Sequence, residues 1–146
     1  MNLLLICLVG ALLIAATVLI HYEALRVTGK FARRLPIRPR QRILVVIAGC
    51  LMAHMMEVGL YAAAFAALHN WSHLGVIEGA FDASALDFLY FSFTNYTTLG
   101  IGDVFPHGPL RLLAGIEALN GFVLISWSAS FAYLMMQRHW HPEQDD

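Results

Sequence analysis

The most informative stretch of the sequence reads Thr97-Thr98-Leu99-Gly100-Ile101-Gly102-Asp103. Its two glycines are separated by one residue, and glycine readily adopts the positive φ that turns successive carbonyl groups toward the same side of an extended chain. Stacked rings of carbonyl oxygens can replace the hydration shell of a monovalent cation. The stretch therefore predicts a cation-coordinating loop, provided that helices of a membrane protein surround it.

The composition is that of a membrane protein. Of the 146 residues, 59% are hydrophobic and 13% are charged, whereas soluble domains average roughly 45–50% and about 25%. The net charge of −1 excludes a basic nucleic-acid binder, so we expect no nucleic-acid partner. Cys7 and Cys50 lie in apolar runs, where they provide neither a disulfide framework nor a zinc-binding pattern.

Three apolar segments, 3–20, 43–68 and 110–136, are near or above the length that crosses a bilayer as a helix. A fourth segment, 84–97, is too apolar for a solvated loop and too short to cross. It begins with Ser84 followed three residues later by an aspartate, which resembles a capping box. The sequence predicts an all-α membrane protein with three transmembrane helices and a short re-entrant helix, which requires an adjacent aqueous path.

Basic residues set the predicted orientation in the membrane. Seven of the nine lysines and arginines lie in residues 26–42, and none lies between residues 43 and 110. The positive-inside rule places this loop in the cytoplasm, with the N-terminus outside and the C-terminus cytoplasmic. We therefore expect a multi-pass protein of the cell membrane, whose basic loop also attracts anionic lipid headgroups.

The arrangement around residues 97–103 resembles the pore loop of potassium channels, over roughly residues 43–136. The matching positions are the paired Thr97 and Thr98, the filter-end Asp103, the aromatic Tyr90 and Phe91 on the pore helix, Pro106 outside the filter and Gly121 at the inner-helix hinge. The predicted domains are an N-terminal transmembrane helix (1–25), which is additional to the two-helix plan of this family, a basic cytoplasmic loop (26–42), a pore domain (43–137) and a short cytoplasmic tail (138–146). Within the pore domain the resemblance implies an outer helix (43–69), a pore helix (84–97), a filter (98–103) and an inner helix (109–137). The extra helix is expected to be peripheral, facing lipid or a neighbouring subunit.

The resemblance also implies roles for individual residues. Potassium ions would bind the Thr98 hydroxyl and the carbonyls of Thr98, Leu99, Gly100 and Ile101, with Gly102 completing the filter. Thr97, Asp103, Thr94 and Tyr90 would support the filter, Gly121 would act as the gating hinge, and Tyr133 is the candidate inner constriction. One loop cannot surround an ion, so the protein is expected to be a homotetramer with four-fold symmetry.

Ile101 departs from this family pattern, because a tyrosine or phenylalanine usually stands between the two glycines. The leading interpretation is a potassium-selective channel with passive conduction. A weakly selective monovalent cation channel and a non-conducting pore-like subunit of a partner complex remain as alternatives, and an unidentified regulatory subunit is left open. No nucleophile–base pair or metal cluster converges in the sequence, so we expect no enzyme activity, no catalytic residue and no cofactor besides the permeant K⁺.

Ionisable residues inside apolar spans are functional candidates by default. Glu57 and Glu117 are predicted at similar depths in the outer and inner helices, and His54 lies on the same helical face as Glu57. We expect His54, Glu57 and Glu117 to form one buried hydrogen-bonded set. This set would be either a static polar clamp between the helices or a pH-sensitive gating element.

Overall fold

The structure is a computed structural model that describes residues 2–69 and 74–140, with side chains up to residue 137. The order of elements is α1 (Asn2–Arg34), a 3-10 turn (Pro39–Gln41), α2 (Arg42–His69), β1 (Ile77–Gly79), α3 (Ala85–Tyr96), β2 (Val104–Pro106) and α4 (Leu110–Trp140). Of the tail expected at 138–146, residues 141–146 lie outside the described residues. Helix α4 continues through the remainder.

Three of the helices are long and apolar enough to cross a membrane. They are α1, α2 together with the preceding turn, and α4. The prediction of a mostly helical membrane protein with three spanning helices is therefore confirmed. Helix α3 has only 12 residues and packs against α2 and α4.

Helix α1 extends further than the sequence predicted. It runs to Arg34, so the first four basic residues of the expected loop 26–42 lie on its last turns. Lysine and arginine are good helix formers and favour helix C-termini, so their charge does not end a helix. The helix ends just before Pro36, because the residue preceding a proline is disfavoured in the helical conformation.

The expectation of an all-α fold needs one correction, because two short strands flank α3. Strand β1 pairs antiparallel with β2, with Glu78 opposite Phe105 and Gly79 opposite Val104. Gly79 has a φ of +108°, and a Cβ there would lie 2.0 Å from the carbonyl oxygen of Asp103. Only glycine fits this close approach. The segments before and after α3 are therefore held against each other at this point.

Small residues allow α1 to pack closely along α2 and α4. A Cβ on Gly10 would lie 2.7 Å from Ile116 of α4, and a Cβ on Gly49 of α2 would lie 2.4 Å from Thr28 of α1. Such residues are typical of helix contacts in membranes, where backbones approach closely. Helix α1 therefore lies against the α2–α4 pair, and exposes leucines such as Leu4 on its other face.

Candidate functional site

The start of α3 is fixed by the capping box that the sequence predicts. The Asp87 backbone N–H donates to the Ser84 hydroxyl, and the Ser84 backbone N–H donates to the Asp87 carboxylate, each at 3.1 Å. The Asp87 carboxylate also accepts from the backbone N–H of Asp82 at 2.9 Å. These hydrogen bonds to its charged form hold the pKa of Asp87 below its usual value.

The loop 97–103 begins on the last carbonyl groups of α3. The backbone N–H of Thr98 donates to the carbonyl of Asn95 at 2.8 Å, and that of Gly100 donates to the carbonyl of Thr94 at 3.1 Å. The Thr97 hydroxyl donates to the Phe93 carbonyl at 2.7 Å. Carbonyl groups in the last turn of α3 thus hold the start of the loop.

Positive φ values recur at every second residue of this loop. They are +58° at Thr98, +53° at Gly100 and +87° at Gly102. Thr98 is β-branched, and such a residue rarely adopts this conformation outside strained or functional segments. This alternation agrees with the expectation from the glycine spacing. When every second residue has a positive φ, successive carbonyl groups point toward the same side of the chain.

The loop is exposed on the single chain. Leu99 and Ile101 expose 65% and 58% of their surface, and no atom lies within 4 Å of a Cβ built on Gly100 or Gly102. No carbonyl oxygen of residues 98–102 accepts a hydrogen bond from another described residue. The loop therefore offers a row of free carbonyl oxygens together with unpartnered apolar side chains.

Asp103 is tied to α3 by Tyr90. The Tyr90 hydroxyl donates to Asp103 Oδ2 at 2.8 Å, and this bond to the carboxylate raises the pKa of Tyr90. The carbonyl oxygen of Asp103 accepts from the backbone N–H of Ala80 at 2.9 Å. The Thr94 hydroxyl instead donates to the Phe91 carbonyl within α3, and the Thr94 backbone carbonyl accepts from the Gly100 N–H of the loop.

Gly121 lies where α4 passes beneath the end of α3. A Cβ on Gly121 would lie 2.1 Å from the carbonyl oxygen of Tyr96. Helix α4 is continuous from Leu110 to Trp140 through this position. The structure thus shows a packing requirement for glycine here, and the hinge role stays a prediction.

Tyr133 lies further along α4. Its side chain is 60% exposed, and its hydroxyl accepts from Gln137 Nε2 at 2.8 Å. Its position is compatible with the predicted inner constriction, which also stays a prediction.

The predicted buried polar set is present in part. His54 Nδ1 lies 3.2 Å from Glu57 Oε2, as expected from their spacing on α2. Glu117 does not join them, because its Oε1 atom is in hydrogen-bond contact with the Ser92 hydroxyl of α3, whose oxygen lies 2.9 Å from the Val58 carbonyl oxygen. The expectation of one set containing Glu117 is wrong, since similar depth along two helices does not fix the direction in which side chains point.

His21 of α1 takes the place expected for Glu117. Its Nδ1 atom lies 2.9 Å from Glu57 Oε1, and both side chains are fully buried. One ligand atom each from His21, His54 and Glu57 lies within 4.8 Å of the other two. The sequence did not indicate His21, because the first apolar run was taken to end at residue 20; the expectation of no metal cluster stays a prediction.

A second polar contact joins the three long helices. Asn120 of α4 donates to the Thr17 hydroxyl of α1 at 2.7 Å and to the Tyr61 hydroxyl of α2 at 3.1 Å. Interhelical hydrogen bonds of this type stabilise helix association in membranes. Helix α1 is thus hydrogen-bonded directly to α4, and through Asn120 it is linked to α2.

Comparison with known families agrees with this architecture. The family model described as "Ion channel" matches residues 43–138, which contain α2, α3, the loop and nearly all of α4. No curated protein and no solved structure matches the chain.

Proposed function

The chain belongs to this pore-loop ion channel family, and from that premise we propose that it is a potassium-selective channel formed by four copies. Residues 98–102 of each copy line a common axis. The Thr98 hydroxyl and the carbonyls of Thr98, Leu99, Gly100 and Ile101 hold K⁺ in place of its water. Conduction is passive, without an enzymatic step or a cofactor.

The observation that carries the proposal is the row of free carbonyl oxygens in residues 98–102. Backbone carbonyls are strong acceptors, and leaving them unpaired at membrane depth costs several kcal/mol each unless water or a cation satisfies them. Their alternating backbone conformation suits a stack of ion-binding rings. A re-entrant α3 places this loop beside the aqueous path that its carbonyls require.

Exposure of the loop supports a symmetric assembly. Leu99 and Ile101 are apolar and unpartnered on the single chain, which is expected when neighbouring copies cover them. A closed four-fold ring supplies the remaining sides of each ion site. In this assembly α2 and α4 are the outer and inner helices, while α1 lies against them on the outside.

Acidic residues favour a cation at the outer entrance. Glu78, Asp82, Asp87 and Asp103 lie around the two connections that flank α3, and residues 43–110 contain no lysine or arginine. Acidic rims raise the local cation concentration. In the orientation that we propose, these residues face outside and the basic residues 26–42 face cytoplasmic anionic headgroups.

Ile101 supports a second candidate function, a weakly selective monovalent cation channel. Its side chain lacks the ring of the tyrosine or phenylalanine that the family usually has there. The filter diameter then depends on aliphatic packing between copies. This candidate keeps the same pore and differs only in how strongly Na⁺ is excluded.

Flux from vesicles tests whether the loop conducts. Purified protein is reconstituted into vesicles loaded with K⁺. The vesicles are diluted into a buffer whose only cation is large and impermeant, and a dye reports the proton uptake that compensates the charge of the K⁺ efflux. We expect K⁺ efflux from wild-type vesicles and loss of efflux with Gly100→Ala, whose positive φ disfavours a side chain. Gly59→Ala is the matched control, because no atom lies within 4 Å of the added methyl group.

The outcomes of this assay separate the interpretations. Equal efflux through wild-type protein and Gly100→Ala would show that the loop is not the conduction path. Absence of efflux from folded, tetrameric wild-type protein would favour the non-conducting subunit.

A further inference from the structure

Four polar side chains from three helices meet beside the base of the loop. His21 of α1 and His54 of α2 both direct Nδ1 toward the Glu57 carboxyl group, at 2.9 and 3.2 Å. The hydroxyl of Tyr96, the last residue of α3, lies 2.9 Å from His54 Nδ1 and donates to Glu57 Oε2. These nitrogen and oxygen atoms are of the types that bind first-row transition metals.

Ser128 of α4 orients both imidazole rings. Its hydroxyl oxygen lies 3.0 Å from His54 Nε2 and 3.3 Å from His21 Nε2. An oxygen with two lone pairs can accept from both N–H groups, which leaves both Nδ1 lone pairs directed at the centre of the cluster. Fixing a ligand imidazole through its second nitrogen is a regular feature of protein metal sites.

Counting protons shows that the centre of this cluster suits a cation. Glu57, His21, Ser128 and His54 form a closed ring of four contacts. With both imidazole N–H groups donated to Ser128, the contacts from the two Nδ1 atoms to an ionised Glu57 carboxylate have no hydrogen between them. The same ring carries one uncompensated negative charge, which is costly in the interior of a membrane protein.

We propose that His21, His54, Glu57 and Tyr96 bind a divalent first-row transition metal ion, with Zn²⁺ as the reference ion. His21 Nδ1, His54 Nδ1, one Glu57 oxygen and the Tyr96 phenolate oxygen form a four-coordinate site. Binding releases the Tyr96 hydroxyl proton and any further proton held by the ring. The two charges of Zn²⁺ are then balanced by one carboxylate and one phenolate, so the buried site is neutral.

The observed separations are close to those of such a site. Zinc bonds of 2.0–2.1 Å in tetrahedral geometry place ligand atoms about 3.3 Å apart. The contacts of 2.9 and 3.2 Å run from His21 and His54 to different oxygens of Glu57, Oε1 and Oε2, and one ligand atom each from the three residues lies within 4.8 Å of the other two. A rotation of the carboxyl group and an opening of the short Tyr96–Glu57 contact would bring the four ligand atoms to the separations of a zinc site. A cavity of about 390 Å³ lies beside the cluster, with His54, Tyr96 and Ser128 among its lining residues.

The position of the site gives the metal a structural consequence. Tyr96 ends α3, and its carbonyl oxygen is the atom that contacts Gly121. A metal bond to the Tyr96 phenolate ties α1 and α2 to the residue that directly precedes the loop. Metal binding itself does not depend on conduction, so the site can be tested whether or not the protein is a potassium channel.

The test measures metal on the purified full-length protein in detergent. After equilibration with Zn²⁺ and removal of free ions, we expect about one bound zinc per chain, and Co²⁺ substitution is expected to give the visible absorption of a tetrahedral site. His21→Gln and His54→Gln each remove a ligand, and we expect affinity to fall roughly tenfold or more. Tyr96→Phe is expected to shift the cobalt spectrum, because it removes one oxygen ligand while keeping the ring.

Two further variants keep the test decisive. Ser128→Ala leaves every ligand in place, and we expect a loss of roughly 10–100-fold in affinity from the freed imidazoles. His107→Gln, in the exposed connection after α3, is the matched control with unchanged binding. The proposal would be overturned if the wild-type protein retained no metal. It would also be overturned if the wild-type protein bound no more metal than His54→Gln and gave no tetrahedral cobalt spectrum. In either case a proton would be the cation of the ring.

Discussion

Replacing Gly121 by alanine tests how α3 is held above α4. Alanine is favoured over glycine in a helix by about 1 kcal/mol. The added methyl carbon would lie 2.1 Å from the Tyr96 carbonyl oxygen, whereas Cβ contacts under 3.0 Å are essentially never observed. The helices must therefore separate by about 0.9 Å at this point. Such overpacking costs typically 1–3 kcal/mol, so we expect Gly121→Ala to lower the free energy of unfolding by up to about 2 kcal/mol.

Gly115→Ala is the matched control on the same helix. No atom lies within 4 Å of its added methyl group, so the helix propensity acts alone and stability should rise by about 1 kcal/mol. Denaturant unfolding of the purified protein, followed by tryptophan fluorescence, measures both variants. If Gly121→Ala is as stable as Gly115→Ala, the packing argument is refuted. A pure hinge role would produce that result, with a change in channel opening only.

Changes at three further residues test other contacts of the site. Tyr90→Phe removes the hydrogen bond to Asp103 at the end of the loop, and we expect weaker K⁺ selectivity or faster loss of current with little change in folding, measured by single-channel recording. Glu117→Ala should destabilise the protein by about 1–3 kcal/mol, because it leaves a buried hydroxyl with fewer partners. Glu117→Gln keeps an oxygen acceptor for Ser92 and should cost clearly less in the same unfolding assay. Ser84→Ala removes the N-cap of α3 and should cost about 1 kcal/mol, and an unchanged unfolding midpoint would contradict the capping role.

Local patterns in the sequence predicted much of this architecture. The lengths of the apolar runs indicated three spanning helices, and Ser84 with Asp87 indicated the start of α3. The glycine spacing at 100 and 102 indicated positive φ at both positions. Each of these features depends on residues that are close together in the chain, so the sequence alone is sufficient.

Features that depend on contacts between distant segments were not predicted. The strands Ile77–Gly79 and Val104–Pro106 are only three residues long and meet because α3 folds between them. His21 lies one residue beyond the last residue assigned to the first apolar run. Its contact with Glu57 depends on the continuation of α1 past that point and on the angle at which it packs against α2. Neither the residue at which α1 ends nor its packing angle against α2 can be derived from hydropathy.

The central claim is that residues 98–102 select potassium, and the reversal potential of the purified channel tests it most directly. Protein in a planar bilayer is recorded with K⁺ on one side and Na⁺ on the other, at equal concentrations. We expect a reversal potential far toward the potassium limit, in spite of Ile101 between the two filter glycines. A reversal potential near zero would contradict potassium selectivity and identify a non-selective cation pore.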